Sequence, residues 1–410
     1  MNMKRYIIIV LVAMMAVGGW AQNATSSPSS RFGYGELNDN LPGAYRAMGG
    51  VGTGMRSNKA INPAQPASYT ACDSLTFMFD IAGSFLYTNY GDANGQTNKL
   101  NGNLEYITMQ FPLWRRYVAM SVGVTPYSAV GYGFTLSDSI KQGDEYVYNH
   151  TKAYGGTGGF TQVYGGLSVN ICDWFALGAN VYYMFGETTQ SRALTFTDAS
   201  MHAVEQGDYL RVSSLRLRYG AQLFHTFGKH TVVLGGMFEN KQRFSRCEYK
   251  QIETNTADTV STMDAGFEMP MVYGAGLSYG YDNRLTVGVD YLCQDWSNVL
   301  YFNRQDELNI RHRWALGMEY RHDPTSRKFV DRMYWRLGAN YATSYTNKYN
   351  QPTLALTMGF GFPLRTIGTV VNTTFEYGRR GFAEAPLNEN YLKFTVNASI
   401  AEHWFFKRRL

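Results

Sequence analysis

Residues 354–362 read Leu-Ala-Leu-Thr-Met-Gly-Phe-Gly-Phe, and every second residue, starting with Leu354, is large and apolar. The same alternation returns at residues 392–400, Leu-Lys-Phe-Thr-Val-Asn-Ala-Ser-Ile, and in many segments from about residue 74 onward. Successive side chains of a β-strand point to opposite faces, so each segment has one apolar face and one polar or small face. The pattern therefore predicts a chain made of many amphipathic strands.

The start of the chain has a different pattern, which is typical of a secretory signal peptide. Two basic residues, Lys4 and Arg5, precede an apolar stretch over residues 6–17, and Gly-Trp-Ala at residues 19–21 supplies small residues for a cleavage site. We therefore predict a signal peptide over residues 1–21. After it, the sequence contains no run of 18 or more apolar residues, which excludes membrane-spanning helices in the mature chain.

An exported chain of amphipathic strands is best explained as an all-β protein, a transmembrane antiparallel β-barrel of about 14 strands over residues 74–410. We expect it in the outer membrane of a Gram-negative bacterium. The mean hydropathy of −0.29 does not oppose this, because a barrel carries its apolar residues at alternate positions. An aromatic content of 15% suits girdles at two membrane interfaces. A secreted sandwich or propeller is the alternative, and the lack of a blade-like repeat counts against it.

Residues 22–73 differ from the rest of the mature chain and are called the N-terminal segment below. The segment is too rich in glycine and proline for a spanning strand, so we predict a compact plug, or hatch, inside the barrel. Beyond it, short turns and long connections alternate, as in barrels with short periplasmic turns and longer outer loops. Short turns are expected near 113–116, 172–173, 228–230, 281–283, 323–327 and 363–366. Longer polar connections are expected near 89–100, 134–157, 198–208, 253–264, 299–306, 347–351 and 379–389.

Charged residues within the strands indicate which face is turned away from lipid. An arginine or lysine that faces lipid at the bilayer midplane costs ~2–4 kcal/mol, so strand charges belong in the lumen. The charged residues that we assign to the lumen are Asp290, Glu319, Arg336, Glu376 and Lys393.

Two groups of motifs resemble the FadL/TodX family of outer-membrane transporters for long-chain fatty acids and other hydrophobic compounds. The first is the glycine-rich stretch 47–54 followed by Asn-Pro-Ala at residues 62–64, directly before the first strand. The second is Glu-Met-Pro at 268–270, with Tyr-Gly-Ala-Gly-Leu-Ser-Tyr at 273–279 and Asp-Trp-Ser at 295–297. The resemblance covers essentially the whole mature chain. It implies a barrel of about fourteen strands with an N-terminal hatch.

The resemblance also suggests residues for transport. Hatch mobility is assigned to glycines because of their backbone freedom, and hatch seating to the Asn-Pro-Ala motif by resemblance. These residues are Gly49, Gly50, Gly52, Gly54, Asn62, Pro63 and Ala64. Family members have a kinked third strand that opens the wall sideways. Here Pro126 breaks strand pairing in the third strand and is the candidate for a lateral gap, or else the strand ends there and a loop begins.

No catalytic, cofactor or metal site stands out in the sequence. Residues 276–280 match G-x-S-x-G, but they lie inside an alternating strand instead of a strand–turn–helix, so we predict no enzyme. The histidines lack metal-ligand spacing, and we expect no cofactor. The net charge of +5 includes two signal-peptide cations and does not suggest nucleic acid. Four scattered cysteines leave a disulfide open, with Cys72–Cys172 as one candidate pair.

Two functions are compatible with these sequence features. The preferred one is passive uptake of hydrophobic, fatty-acid-like small molecules, captured in the barrel and released past the hatch through a lateral gap. Membrane lipid and lipopolysaccharide would surround the barrel. The alternative is a scaffold or shuttle for protein partners, such as secretion machinery; a general porin is opposed by the plug. The lumen distinguishes the two, because a transporter needs an apolar pocket under the hatch whereas the lumen of a scaffold can be filled.

Overall fold

The computed structural model describes residues 25–39, 41–92, 95–142, 145–197, 201–254, 258–263, 266–347, 351–364, 368–381 and 388–403. The predicted signal peptide lies outside these residues. Short helical turns are found at Pro28–Arg31, Pro66–Ala71, α1 (Gly43–Arg46) and α2 (Phe329–Arg332). None of the helices in the described residues is long and apolar enough to cross a membrane.

Strands make up most of the described chain. Those before residue 240 are β1 (Glu36–Leu37), β2 (Thr76–Asp92), β3 (Gly95–Trp114), β4 (Val118–Gln142), β5 (Glu145–Cys172), β6 (Phe175–Phe196), β7 (Val204–Phe227) and β8 (His230–Glu239). A connecting region follows with β9 (Gln242–Arg243), β10 (Arg246–Thr254), β11 (Asp258–Met263) and β12 (Glu268–Met269). The rest are β13 (Met271–Tyr281), β14 (Leu285–Asp295), β15 (Arg311–Tyr320), β16 (Tyr334–Ala342), β17 (Thr353–Pro363), β18 (Val370–Arg380) and β19 (Asn388–His403).

Fourteen of these strands close into one antiparallel barrel, which confirms the predicted fold class. β2 to β8 pair in chain order, β8 pairs with β13, and β13 to β19 again pair in order. The wall closes where β19 pairs with β2, from Asn388↔Gly91 to His403↔Thr76. A closed barrel satisfies its backbone hydrogen bonds between neighbouring strands and leaves no sheet edge, as a strand-built membrane span requires.

The outer face of the barrel is apolar, and the inner face is polar. On β5, Leu167 is 50% exposed while its neighbour Ser168 is fully buried. On β16, Leu337 is 51% exposed while Arg336 is 4% exposed. Aromatic side chains neighbour one another across the outer face, as Trp314 does with the rings of Tyr291 and Tyr341 on adjacent strands. This apolar surface suits lipid contact.

Strand lengths divide the barrel into a low side and a tall side. β13 to β18 have 9 to 11 residues, the length of a typical transmembrane strand. β4 to β7 have 22 to 28 residues and continue beyond that height. The hairpin β10–β11 pairs with the far half of β7, from Arg246↔Ser213 to Thr254↔Glu205, and widens the tall side.

The tall side corrects the prediction of long irregular connections near 89–100 and 134–157. Both regions are strand over their described residues, in β2 to Asp92 and β3 from Gly95, and in β4 to Gln142 and β5 from Glu145. The polar composition was misleading there because the projecting wall has polar residues on both faces. Ladder pairing between β4 and β5 continues to Gln142↔Glu145 and supplies the backbone hydrogen bonds that a loop would lack.

Candidate functional site

The N-terminal segment packs against inward-facing side chains of the barrel, and one of them, Asp290, accepts three hydrogen bonds from it. Asp290 on β14 is 5% exposed and accepts hydrogen bonds from three consecutive backbone amides of the segment. The amides of Gly52 and Thr53 each lie 2.6 Å from Oδ2, and that of Gly54 lies 3.2 Å from Oδ1. Carboxylate acceptors make stronger hydrogen bonds than neutral ones, so Asp290 anchors this turn of the segment to the wall.

The glycines assigned to the hatch pack tightly against the wall. Gly49 and Gly50 have φ values of +67° and +80°, which favour glycine. A Cβ on Gly49 would lie 2.5 Å from the Ala339 carbonyl oxygen, and one on Gly54 would lie 2.7 Å from the backbone of Gly276. Glycine is therefore required here for close backbone approach, and the proposed role of these residues in mobility stays a prediction.

The Asn-Pro-Ala motif contacts both the segment itself and the far wall. Asn62 donates from Nδ2 to the Gly52 carbonyl at 2.8 Å. The Pro63 carbonyl accepts hydrogen bonds from Asn180 at 3.0 Å and Tyr182 at 2.9 Å, both on β6. Ala64 is buried beside these contacts. The motif thus contacts β6, four strands along the wall from the Asp290 contact on β14.

Ion pairs surround the segment towards the long connections. Asp39 lies 2.9 Å from Arg311 and 3.0 Å from Arg313 on β15. Arg313 also donates to the carbonyls of Gly49 and Gly50 at 3.0 and 3.1 Å. Burial alone would raise the pKa of the Asp39 carboxyl, but the two arginines outweigh it and hold that pKa well below its usual range.

A second ion-paired group connects α1 to the opposite wall. Arg46 pairs with Glu105 of β3 at 2.7 Å, and Glu105 also pairs with Lys393 of β19 at 2.6 Å. All three side chains are largely buried. Such groups cost little where each charge is paired and hydrogen-bonded, but removing one partner leaves an uncompensated buried charge.

The remaining strand charges assigned to the lumen also face inward. Arg336 pairs with Glu319 at 2.7 Å and donates to Asn372 at 2.6 Å. Glu376 accepts a hydrogen bond from the Tyr391 hydroxyl at 2.8 Å. Together with Asp290 and Lys393, described above, all five predicted residues make polar contacts inside the wall.

Two of the large cavities in the lumen, the outer cavity and the inner vestibule, share no lining residue. The outer cavity, about 620 Å³, lies towards the long connections, and nine of its lining side chains are charged. The inner vestibule, about 970 Å³, opens among the short turns and is also lined by charged groups. A pocket of about 50 Å³ beside Asp290 and Arg313 lies at the level of the segment between them. Residues of the N-terminal segment line all three of these cavities.

An aromatic cluster fills another part of the lumen near the long connections. Tyr34 of the segment is 1% exposed, and its ring centroid lies 5.5 Å from that of Trp296 and 5.8 Å from that of Phe244. Its hydroxyl donates to the Glu268 carbonyl at 3.0 Å. A third cavity, about 580 Å³, borders this cluster, and its lining includes Tyr34, Phe160 and Tyr249.

Pro126 lies at a break in the wall. β3 pairs with β4 from Trp114↔Val118 as far as Ile107↔Val124, and the described residues of β3 before that point pair with β2 alone. The ladder between β4 and β5 also shifts register between Pro126 and Ser128. The third strand does not end there, because β4 continues to Gln142, so the alternative of a strand end at Pro126 is wrong. The short β1 covers the freed edge of β4.

Other candidate chemistry finds no support among the described residues. The four cysteines, Cys72, Cys172, Cys247 and Cys293, are free thiols, so no Cys72–Cys172 disulfide is present. Ser278 of the G-x-S-x-G match lies inside β13 and donates to the Gly54 carbonyl at 2.7 Å. Within the described chain, no cluster of three or more His, Cys, Asp or Glu side chains is arranged to hold a metal ion.

This fourteen-strand barrel is similar in fold to solved FadL-type barrels. A Pseudomonas aeruginosa FadL homologue superimposes with a TM-score of 0.62 at 11% identity over 88% of this chain and 98% of that one. The Pseudomonas putida toluene transporter TodX gives 0.57 at 12%, over 90% and 98%. The Ralstonia pickettii toluene transporter TbuX gives 0.56 at 14%, over 88% and 97%.

The family assignment rests on sequence. The family profile named BamG matches residues 3–410, and the chain belongs to that family. No curated protein matches the chain in sequence.

Several residues that build the site were not identified from the sequence. Glu239 of β8 is 1% exposed and pairs with both Arg216 and Arg218 of β7. The run Leu215-Arg216-Leu217-Arg218 has the same two-residue alternation that identified the other lumen charges. The alternation could therefore have identified these arginines. Asp39 and Arg46 lie in an irregular segment without periodicity, and no sequence signal marked their partners.

Proposed function

We propose that this chain is an outer-membrane barrel with a closed lumen whose main role is to dock protein partners. The observation that carries the proposal is in the lumen, where two cavities with charged linings share no lining residue and each borders the N-terminal segment. The predicted signal peptide and the apolar outer face support an outer-membrane location.

The charges in the lumen argue against an apolar passage in this conformation. A hydrophobic molecule would have to pass the Arg46–Glu105–Lys393 group and the Asp39 ion pairs. Ligand pockets for such molecules are lined mainly by apolar and aromatic side chains. Here Tyr34 of the N-terminal segment packs into the main aromatic cluster, and the cavity of about 580 Å³ beside that cluster is also lined by Arg192, Arg304 and Asp208.

The tall side offers a surface for partners outside the membrane. β4 to β7 and the β10–β11 hairpin project beyond the height of the nine- to eleven-residue strands. An extended sheet on one side of a barrel presents far more area than the tight turns on the other. This supports a role in which the barrel anchors or positions other proteins, such as secretion machinery.

Uptake of hydrophobic small molecules is the second candidate, favoured by the split between β3 and β4 at Pro126. Two of the structural relatives are named toluene transporters. In this mechanism the N-terminal segment is a hatch that moves at Gly49, Gly50, Gly52 and Gly54. Solute captured in the barrel then leaves through the lateral gap, driven by its concentration gradient.

Uptake of a fluorescent fatty acid into cells carrying the chain tests the two candidates. For a docking barrel we expect the same uptake as in cells without the chain. For a transporter we expect added uptake that Pro126→Val reduces, while Pro112→Val in β3, where pairing with β4 is intact at Ala119, leaves it unchanged. Added, Pro126-dependent uptake would overturn the docking proposal.

A further inference from the structure

The inner vestibule has an excess of positive charge that the barrel does not neutralise. Five cations line it, and within the described residues none of them makes an ion pair: Arg56, Lys59, Arg115, Arg116 and Arg321. A sixth, Arg336, is neutralised by Glu319. Against the five stand two other lining carboxylates, Asp73 and Asp173, which leaves an excess of three positive charges.

Arg56 comes from the N-terminal segment and is held without a counter-charge within the described residues. Its guanidinium donates to the Ala67 carbonyl at 2.9 Å, Thr70 at 3.0 Å and Asn170 at 3.2 Å, all neutral acceptors. It also lies 3.9 Å from the ring centroid of Phe224. Burial lowers the pKa of this guanidinium to about 10. The site holds a partly desolvated positive charge that an incoming carboxylate would stabilise.

Arg321 gives a second sign of an incomplete site. It donates to the Tyr334 hydroxyl at 2.9 Å and to the Asn283 carbonyl at 3.0 Å. Its Nε atom is buried and has no hydrogen-bond partner. This Nε atom is enclosed by protein, so a ligand carboxylate in the vestibule would pair with the guanidinium charge of Arg321 instead of with that atom.

The position of the vestibule selects the kind of ligand. It opens among the short turns, so in the expected orientation it faces the periplasm. Its inner lining comes from the N-terminal segment and the lumen face of the strands, which bilayer lipids do not reach. Its volume of about 970 Å³ is in the range of typical ligand pockets, so the vestibule can hold several side chains of a bound peptide.

We propose that the inner vestibule binds an acidic peptide segment, rich in Asp and Glu, of a periplasmic protein partner. The proposal rests on the docking function above and specifies the chemistry of one partner. Carboxylates of the acidic peptide pair with Arg115 and Arg116 at the mouth of the vestibule and reach towards Arg321 and Arg56 inside it. Opposite charge gives such a contact fast association and strong salt dependence.

The test uses the full mature chain in nanodiscs of neutral phosphatidylcholine and a fluorescent peptide of alternating Asp and Gly residues. We expect saturable binding by fluorescence anisotropy, no binding of the matched Asn–Gly peptide, and loss of binding in about 0.5 M salt. Arg115→Gln with Arg116→Gln should weaken binding about fivefold, because each exposed ion pair contributes modestly.

The control is Arg327→Gln with Lys328→Gln, which removes two equally exposed cations from a short turn outside the vestibule. We expect that variant to bind as tightly as the unchanged chain. No binding of the acidic peptide, or equal weakening in both variants, would overturn the proposal. So would displacement of the peptide by vesicles containing anionic phospholipid, since that result assigns the cations to a lipid surface.

Failure of this proposal is separable from failure of the docking function. A stoichiometric protein complex recovered from native membranes and unaffected by Arg115→Gln with Arg116→Gln contradicts the vestibule site and leaves docking intact. Fatty-acid uptake that depends on Pro126 contradicts docking, whatever the peptide does.

Discussion

Asp290→Ala should release the turn of the N-terminal segment that contacts β14. The substitution removes the acceptor for three buried amides, those of Gly52, Thr53 and Gly54. Hydrogen bonds to a charged group contribute ~1.5–3 kcal/mol each, but these three share one carboxylate, and water can enter the space it leaves. We therefore take ~1 kcal/mol for each amide and expect the local opening free energy to fall by ~3 kcal/mol.

Hydrogen exchange followed by mass spectrometry measures that free energy directly. A loss of ~3 kcal/mol corresponds to roughly 100-fold faster exchange of the amides around residues 52–54. The matched control is Glu319→Gln, which removes another lumen carboxylate whose described partner is Arg336 instead of a backbone amide of the segment. Unchanged exchange in Asp290→Ala, or equal acceleration in both variants, would refute the anchoring role.

The packing and the charges support three further predictions. Gly317→Ala should lower the melting temperature of the barrel, because a Cβ there would overlap the Met48 carbonyl, whereas Gly236→Ala, with open space around it, should not. The pKa of Asp39 is lowered in the folded chain, so Asp39→Asn should make the N-terminal segment easier to cleave by protease above about pH 4. The difference in cleavage rate between this variant and the unchanged chain should shrink as the pH falls further. A difference that stays constant with pH contradicts this prediction. Leu316→Arg on the lipid face should cost ~2–4 kcal/mol and reduce folding into vesicles. Leu100→Arg, fourteen residues from the short-turn end of β3, should have little effect, and equal losses would contradict the assigned membrane position.

The barrel could be predicted from the sequence because its main determinant is local. A period of two residues fixes which face each side chain occupies, whatever the strand's neighbours are. The alternation placed Arg336 on the lumen face, and in the structure this side chain is 4% exposed. Strand number followed from the same pattern and from the alternating connections.

The height of the strands was harder to predict. Where β4 and β5 leave the membrane, both of their faces meet water, and the alternation that marks a spanning strand disappears. A polar stretch such as 134–157 then looks the same whether it is a loop or a paired wall. Only the partner strand distinguishes them, and pairing is not a local property.

The site required contacts that no local pattern contains. Asp290 was recognised as a lumen charge, but its hydrogen bonds to residues 52–54 join positions more than two hundred residues apart. The same is true of Asp39 with Arg311. The two-residue alternation predicts that a charge faces the lumen. It does not predict whether the lumen contains an open path or a bound segment of the chain.

Native mass spectrometry of the barrel, released from its own membrane in mild detergent, tests the central proposal most directly. A docking barrel with a closed lumen should appear with a protein partner at fixed stoichiometry and without a retained hydrophobic small molecule. A barrel that carries one fatty-acid-like molecule per chain, with no protein bound, would contradict the docking role and favour transport.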